Sequence, residues 1–83
     1  MNQELRKFYD NQFAMMGTPG WVDFMADCEK VKTQYSDIST VTDTQQLFFR
    51  KGQLDILNWV LNRRQAHKDT FDQLQEDSDA PNV

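Results

Sequence analysis

The sequence predicts an all-α fold, a three-helix arrangement with two shorter N-terminal helices at about 2–16 and 19–35 and a long C-terminal helix at about 43–77. Three observations predict it. Apolar side chains recur at helical spacing in three successive segments, and capping or breaking residues stand between them. The one stretch that could form a strand, 36–42, would have no second strand to pair with, and a lone strand is unstable.

In the first segment Leu5, Phe8, Tyr9, Phe13 and Met16 stand at i, i+3, i+4, i+8 and i+11, with Glu4, Lys7, Asp10 and Asn11 between them. That is the stripe of a helix lying on a core. Gly17 is placed to end it by adopting a left-handed conformation. Thr18 and Pro19 then start the next helix, threonine as a cap for exposed amides and proline as a first residue with a suitable fixed φ. In the second segment Trp21, Phe24, Met25, Cys28, Val31 and Tyr35 share a side, and the helix should stop near Tyr35 or Ser36. Ser36 to Thr42 is rich in short polar side chains that compete with helical backbone bonds, so it reads as a loop with Ile38 and Val41 tucked onto the core.

The third segment opens on a capping box, either Thr42 with Gln45 or Asp43 with Gln46. Leu47, Leu54 and Leu61 follow at seven-residue spacing, and Phe48, Phe49, Ile56, Leu57, Trp59 and Val60 fill much of the remaining circumference, so this helix should be covered on more than one side. Between Asn62 and Asp77 the only apolar residues are Ala66, Phe71 and Leu74. A continuous helix over 43–77 would be about 52 Å long against roughly 23 to 27 Å for the other two, so its last third must project beyond the core or fold back. Residues 1–77 form a single helical domain in this reading, and 78–83 a flexible acidic tail.

With 83 residues, 39% of them apolar and 27% charged, the chain can fold as one domain, but its core is small and a second chain or partner would add needed area. The net charge of −4 is segregated: residues 1–49 carry −3, residues 50–68 carry +4, and residues 69–83 carry −5. Such blocks suit steering or association rather than general nucleic-acid binding, which calls for an overall basic domain; solvated helix faces are the plain alternative. The basic group Arg50, Lys51, Arg63, Arg64 and Lys68 does not form one uninterrupted face, because Leu57 and Leu61 intrude.

Several chemistries find no residues to carry them. One cysteine, Cys28, allows no internal disulfide and suits a reducing compartment. Cys28 and the single histidine, His67, lie 39 positions apart and match no zinc spacing. Glycines at 17, 20 and 52 make no phosphate cradle. His67 should sit on the exposed, charged end of the third helix without a nucleophile beside it, and Cys28 should be a small core residue. Asp23 with Asp27, and Asp69 with Asp72 and Glu76, form acidic ladders that read as solvated faces. No catalytic, cofactor-binding or metal-binding residue is expected, and so no enzyme. The first residues lack a secretion pattern and no apolar run reaches 18 residues, so a soluble, unexported chain without membrane contact is expected.

Gly52 stands in the most apolar stretch, where glycine costs a helix about 1 kcal/mol relative to alanine. It therefore reads as a packing notch, filled by Trp21 or Phe24 of the same chain or by a partner chain. Phe71 and Leu74 are apolar anchors within a charged rim that includes Arg64, Lys68, Asp69 and Asp72; Phe71 either meets a partner or folds back on the first helix. The residues expected to bind a partner are thus Phe48, Gly52, Trp59, Leu61, Arg64, Lys68, Phe71 and Leu74.

Glu4-Leu5-Arg6-Lys7-Phe8-Tyr9-Asp10, then Gly20-Trp21, then Leu47-Phe48-Phe49-Arg50-Lys51-Gly52-Gln53-Leu54-Asp55-Ile56-Leu57 resembles a family of small uncharacterised proteins of podovirus-type tailed bacteriophages, over residues 4–61. The resemblance carries no catalytic or binding residue. It implies a phage origin and either a virion or assembly component or a small effector that binds a host protein. Together with the surplus apolar surface, it leads to the expectation of a non-enzymatic protein–protein interaction module that binds itself as a homo-oligomer or binds another phage or host protein. The alternative is an acidic effector that inhibits a host protein. Either would act in the host cytoplasm, the first with incorporation in the virion.

Overall fold

The computed structural model describes residues 1–79, in which α1 spans Gln3–Met16, α2 Pro19–Tyr35, α3 Thr44–Leu61 and α4 Arg63–Asp79, with one 3-10 turn over Ile38–Thr40. The all-α class holds, but there are four helices rather than three. The long C-terminal helix is broken at Asn62, whose φ of −92° and ψ of 2° depart from helical values. Arg63 secures the break. Its Nε donates to the Trp59 carbonyl at 2.8 Å, and its guanidinium lies 3.9 Å from the centre of the Trp59 ring, so a carbonyl at the end of α3 gains a side-chain donor.

The other helix ends follow from local chemistry. Asn2 accepts from the Leu5 amide at 2.7 Å and caps α1. Gly17 does not take up a left-handed conformation; its φ of −91° and ψ of 0° are right-handed. Thr18 removes the need, because its hydroxyl donates to the Met15 carbonyl at 2.8 Å and accepts from the Trp21 amide at 3.2 Å, ending one helix and starting the next. At α3 the cap is Asp43, which accepts from the Gln46 amide at 2.8 Å. Gln46 reaches back to the backbone amide of Thr42 at 2.9 Å and its hydroxyl at 3.1 Å, which fixes the register of the capping box.

Packing joins these helices in two pairs. The most extensive contact is α2 on α3, and α4 lies against α1; α1 with α2 and α3 with α4 meet more sparingly. The Cα atoms extend over 58 × 34 × 16 Å. Two helices packed at about 9 Å have a depth of about 14 Å between their outermost Cα atoms, so the molecule is nowhere thicker than a helix pair. Its radius of gyration of 17.8 Å compares with about 12 Å for a compact domain of this length. The interior is correspondingly slight. Only Met16, fully enclosed, with Tyr9 and Cys28, is buried among the apolar side chains of the described residues.

Because α4 turns onto α1, it does not project. Phe71 packs edge-on against Tyr9 and Phe13 at 5.8 and 5.7 Å, with the Arg6 guanidinium 5.8 Å from its ring. His67, expected on an exposed end, is half-buried between Phe8 and Tyr9 at 5.9 and 5.8 Å. Ser78 is helical and bonds the Leu74 carbonyl at 2.9 Å, and the amino group of Met1 contacts its hydroxyl, so the expected tail does not begin at 78. Residues 80–83 of that tail lie outside the described residues. In the loop, Val41 is half-buried as a tuck requires, whereas Ile38 is exposed.

Candidate interaction surface

No residue of α3 is buried, although the helix is rich in large apolar side chains. Its 100° residue step explains this. Leu54, Leu57, Val60 and Leu61 share one face with Arg50 and Gln53, and all six are half-covered where the helix meets its neighbours. Phe48, Phe49, Gly52, Ile56 and Trp59 fall on a second face, which the described residues leave open. There Phe48 is 67% exposed, Phe49 70%, Ile56 65% and Trp59 56%. An open groove of about 610 Å³ runs along this face, lined by Tyr35, Phe48, Phe49, Gly52, Gln53 and Ile56.

Gly52 is one of the residues lining that groove. A methyl group added to it would meet nothing within 4 Å, so it is not a notch for Trp21 or Phe24. Those two rings pair with each other instead, 6.1 Å apart on α2. The total accessible surface of 6514 Å² exceeds by about a quarter the roughly 5,200 Å² that scaling gives for a folded monomer of 9.8 kDa.

The eight residues expected to bind a partner are divided by the fold. Phe48, Gly52 and Trp59 share the open face, whereas Leu61 is half-covered on the opposite side of α3. Phe71 and Leu74 are half-buried; Phe71 belongs to the α1–α4 packing and not to a separate charged-rim site. Arg64 and Lys68 are exposed on α4. Phe49 and Ile56 join the open face and were absent from the expected set. The spacing 49, 52, 56 and 59 is itself helical, and was the signal that could have found them.

Charged groups near this surface are largely held by partners within the chain. Arg50 donates to the carbonyls of Tyr35 at 3.1 Å and Asp37 at 3.2 Å and lies over the Tyr35 ring, tying the loop to α3. Hydrogen bonds from Ser39, backbone first and then side chain, with a smaller contribution from the Arg50 charge, hold the Asp37 carboxyl below its ordinary value. Lys51 pairs with Asp55 at 2.9 Å on the rim of the open face. On α4 the Asp72 carboxylate accepts from Lys68 at 2.7 Å and raises its pKa above the usual lysine value.

Among the described residues, no three or more histidine, cysteine or acidic side chains gather as metal ligands. Cys28 is buried. No helix among the described residues is long and apolar enough to cross a membrane. What the arrangement offers is a flat, two-sided helix with one apolar face covered and one open. Comparison with protein-family models, with curated proteins and with solved structures finds no match.

Proposed function

We propose that this chain is a non-enzymatic protein–protein interaction module that works through the open face of α3, as a small virion or assembly component of a tailed bacteriophage. One observation carries the reading: four large apolar side chains of one helix stand more than half exposed in a row beside a groove. Single exposed apolar residues are ordinary on a folded protein, but a contiguous apolar face rimmed by charge marks an interaction site. Phe48, Phe49 and Trp59 supply the rigid aromatic area that dominates interfaces, and Lys51 and Asp55 supply a polar rim. The phage assignment rests on the sequence resemblance over residues 4–61, and with it the host cytoplasm as the place of action.

The test is mass spectrometry of purified particles made with the wild-type chain and with the double variant Phe49→Ser, Ile56→Ser. The wild-type chain is expected in the particles at a fixed copy number, and the variant is expected to be missing from them while keeping its helical circular dichroism. A chain absent from particles in both forms removes the structural role. Isolation of the wild-type chain with one host enzyme, and loss of that enzyme's inhibition in the variant, would favour the acidic effector instead.

A further inference from the structure

The geometry points to a second copy of this chain as the occupant of the open face: α3 packs antiparallel against α3 of an identical chain, with the two helices crossing at Gly52. This rests on the interaction reading above and names its partner. The first ground is the symmetry of the stripe itself. Antiparallel helices crossing at residue 52 set residue i opposite 104 − i, which places Phe48 against the partner's Ile56 and Gly52 against the partner's Gly52. A closed dimer needs such a self-complementary patch. The absence of a side chain at the crossing point, with nothing within 4 Å of the position a Cβ would take, lets the two backbones approach and the neighbouring rings interleave.

The second ground is charge. Lys51 and Asp55 lie side by side on one edge of the stripe. A two-fold axis perpendicular to an antiparallel pair brings equivalent edges to the same side; Lys51 then lies as near along the axis to the partner's Asp55 as to the partner's Lys51, and because each Lys51 is already neutralised by its own Asp55 this edge brings no net repulsion. Parallel helices would instead set like residues level with one another. Arg63, which covers Trp59 at the end of the stripe, would then stand opposite the partner's Arg63, whereas the antiparallel arrangement separates the two by about 33 Å along the axis.

The third ground is area. Taking the upper part of the range of about 150–250 Å² for each aromatic side chain and somewhat less for isoleucine, the exposed parts of Phe48, Phe49, Ile56 and Trp59 come to at most about 550 Å² per chain. Two copies thus offer up to about 1,100 Å² through these side chains alone, and with the stems of Lys51 and Asp55 the area available reaches the lower end of the range of specific interfaces, about 1,200 Å².

Sedimentation equilibrium of the full chain tests this directly. The wild type is expected to dimerise at micromolar concentration, and Gly52→Leu to dimerise about 100-fold more weakly while its helix content stays at or above wild type, since both copies carry the obstruction and the single chain has room for it. A spin label at Gln45→Cys, in a chain that also carries Cys28→Ala, reads the orientation without disturbing the crossing. An antiparallel pair puts the two labelled backbones about 23 Å apart, a parallel pair about 10 Å. A wild-type chain monomeric up to 100-fold above the micromolar range, a Gly52→Leu variant that dimerises as tightly as wild type, or the shorter label distance would overturn the proposal. A monomeric chain that still enters particles only when Phe49 and Ile56 are present overturns the dimer alone. A dimer whose open face has no bearing on particles or on a host enzyme overturns only the wider functional reading.

Discussion

Replacing Phe71 with alanine should open the α1–α4 pair and leave α2–α3 folded. The ring is half-buried, so the transfer contribution is about half that of a fully buried phenylalanine, about 1 to 1.5 kcal/mol. It also makes two edge-on contacts, with Tyr9 at 5.8 Å and Phe13 at 5.7 Å, each contributing about 0.5–1.5 kcal/mol in such pairs. The Arg6 guanidinium over the ring adds about 0.5 kcal/mol. The expected loss is about 3 kcal/mol, against a total stability of about 4 kcal/mol for 83 residues at the lower end of the usual range, where so small a core belongs. At about 4–8 °C per kcal/mol, the melting midpoint should fall by at least about 12 °C in a circular-dichroism melt. Amide hydrogen exchange adds the spatial test: α1 and α4 should lose protection while α2 and α3 keep most of theirs, because α1 meets α2, and α3 meets α4, only sparingly. A midpoint lowered by less than about 4 °C, or protection lost uniformly over all four helices, would refute this assignment of Phe71 to an internal clamp.

Gly52→Ala should raise the stability of the isolated chain by about 1 kcal/mol, because alanine is the better helix former and its methyl meets nothing within 4 Å; an unchanged or lower midpoint in dilute chemical denaturation would contradict this. Asp43→Ala removes the acceptor for the Gln46 amide and should cost about 1 kcal/mol, with faster exchange confined to the first turn of α3. Asp37 should titrate below the ordinary carboxylate value in an NMR pH series. Its folded pKa is lowered, so the contribution to stability is present above the unfolded value of 3.8 and is lost as pH falls through the folded one; Ser39→Ala, which removes the hydroxyl but not the backbone donor, should move the midpoint part of the way back.

What the sequence made legible was local. Pro19 at the first position of α2, Thr18 as its cap and the polar run after Tyr35 set that helix to the residue, because each acts through chemistry within four positions of itself. The capping box at α3 was readable to within one residue, and geometry then selected Asp43. The break at Asn62 was not legible, since Asn62-Arg63-Arg64 contains neither glycine nor proline and each residue is acceptable inside a helix. Its cause is the destination of α4: Phe71 finds its cover on Tyr9 and Phe13 only if the chain bends to lay α4 on α1, a contact between residues some sixty positions apart. His67 was misplaced for the same reason. A helical wheel shows His67 among charged neighbours but cannot show Phe8 and Tyr9 arriving from the other end of the chain.

The open face was legible as a surplus but not as a place. Counting apolar residues on α3 shows that two faces are apolar, yet the count is silent on which face the chain covers, and on that choice depended the reading of Gly52, Leu61 and Phe71. The fold decides it by exhaustion. α2 is engaged with the face of Leu54 and Leu57, α1 is engaged with α4, and the molecule is only two helices deep, so no element among the described residues remains to lie over Phe48, Phe49, Ile56 and Trp59. Extending α4 straight from α3 would not cover them either, because a collinear helix cannot return along its own flank. Among the described residues this face therefore stays uncovered, and in the proposed dimer Gly52, the one position on the stripe where a helix backbone can draw close, sets where the second copy crosses.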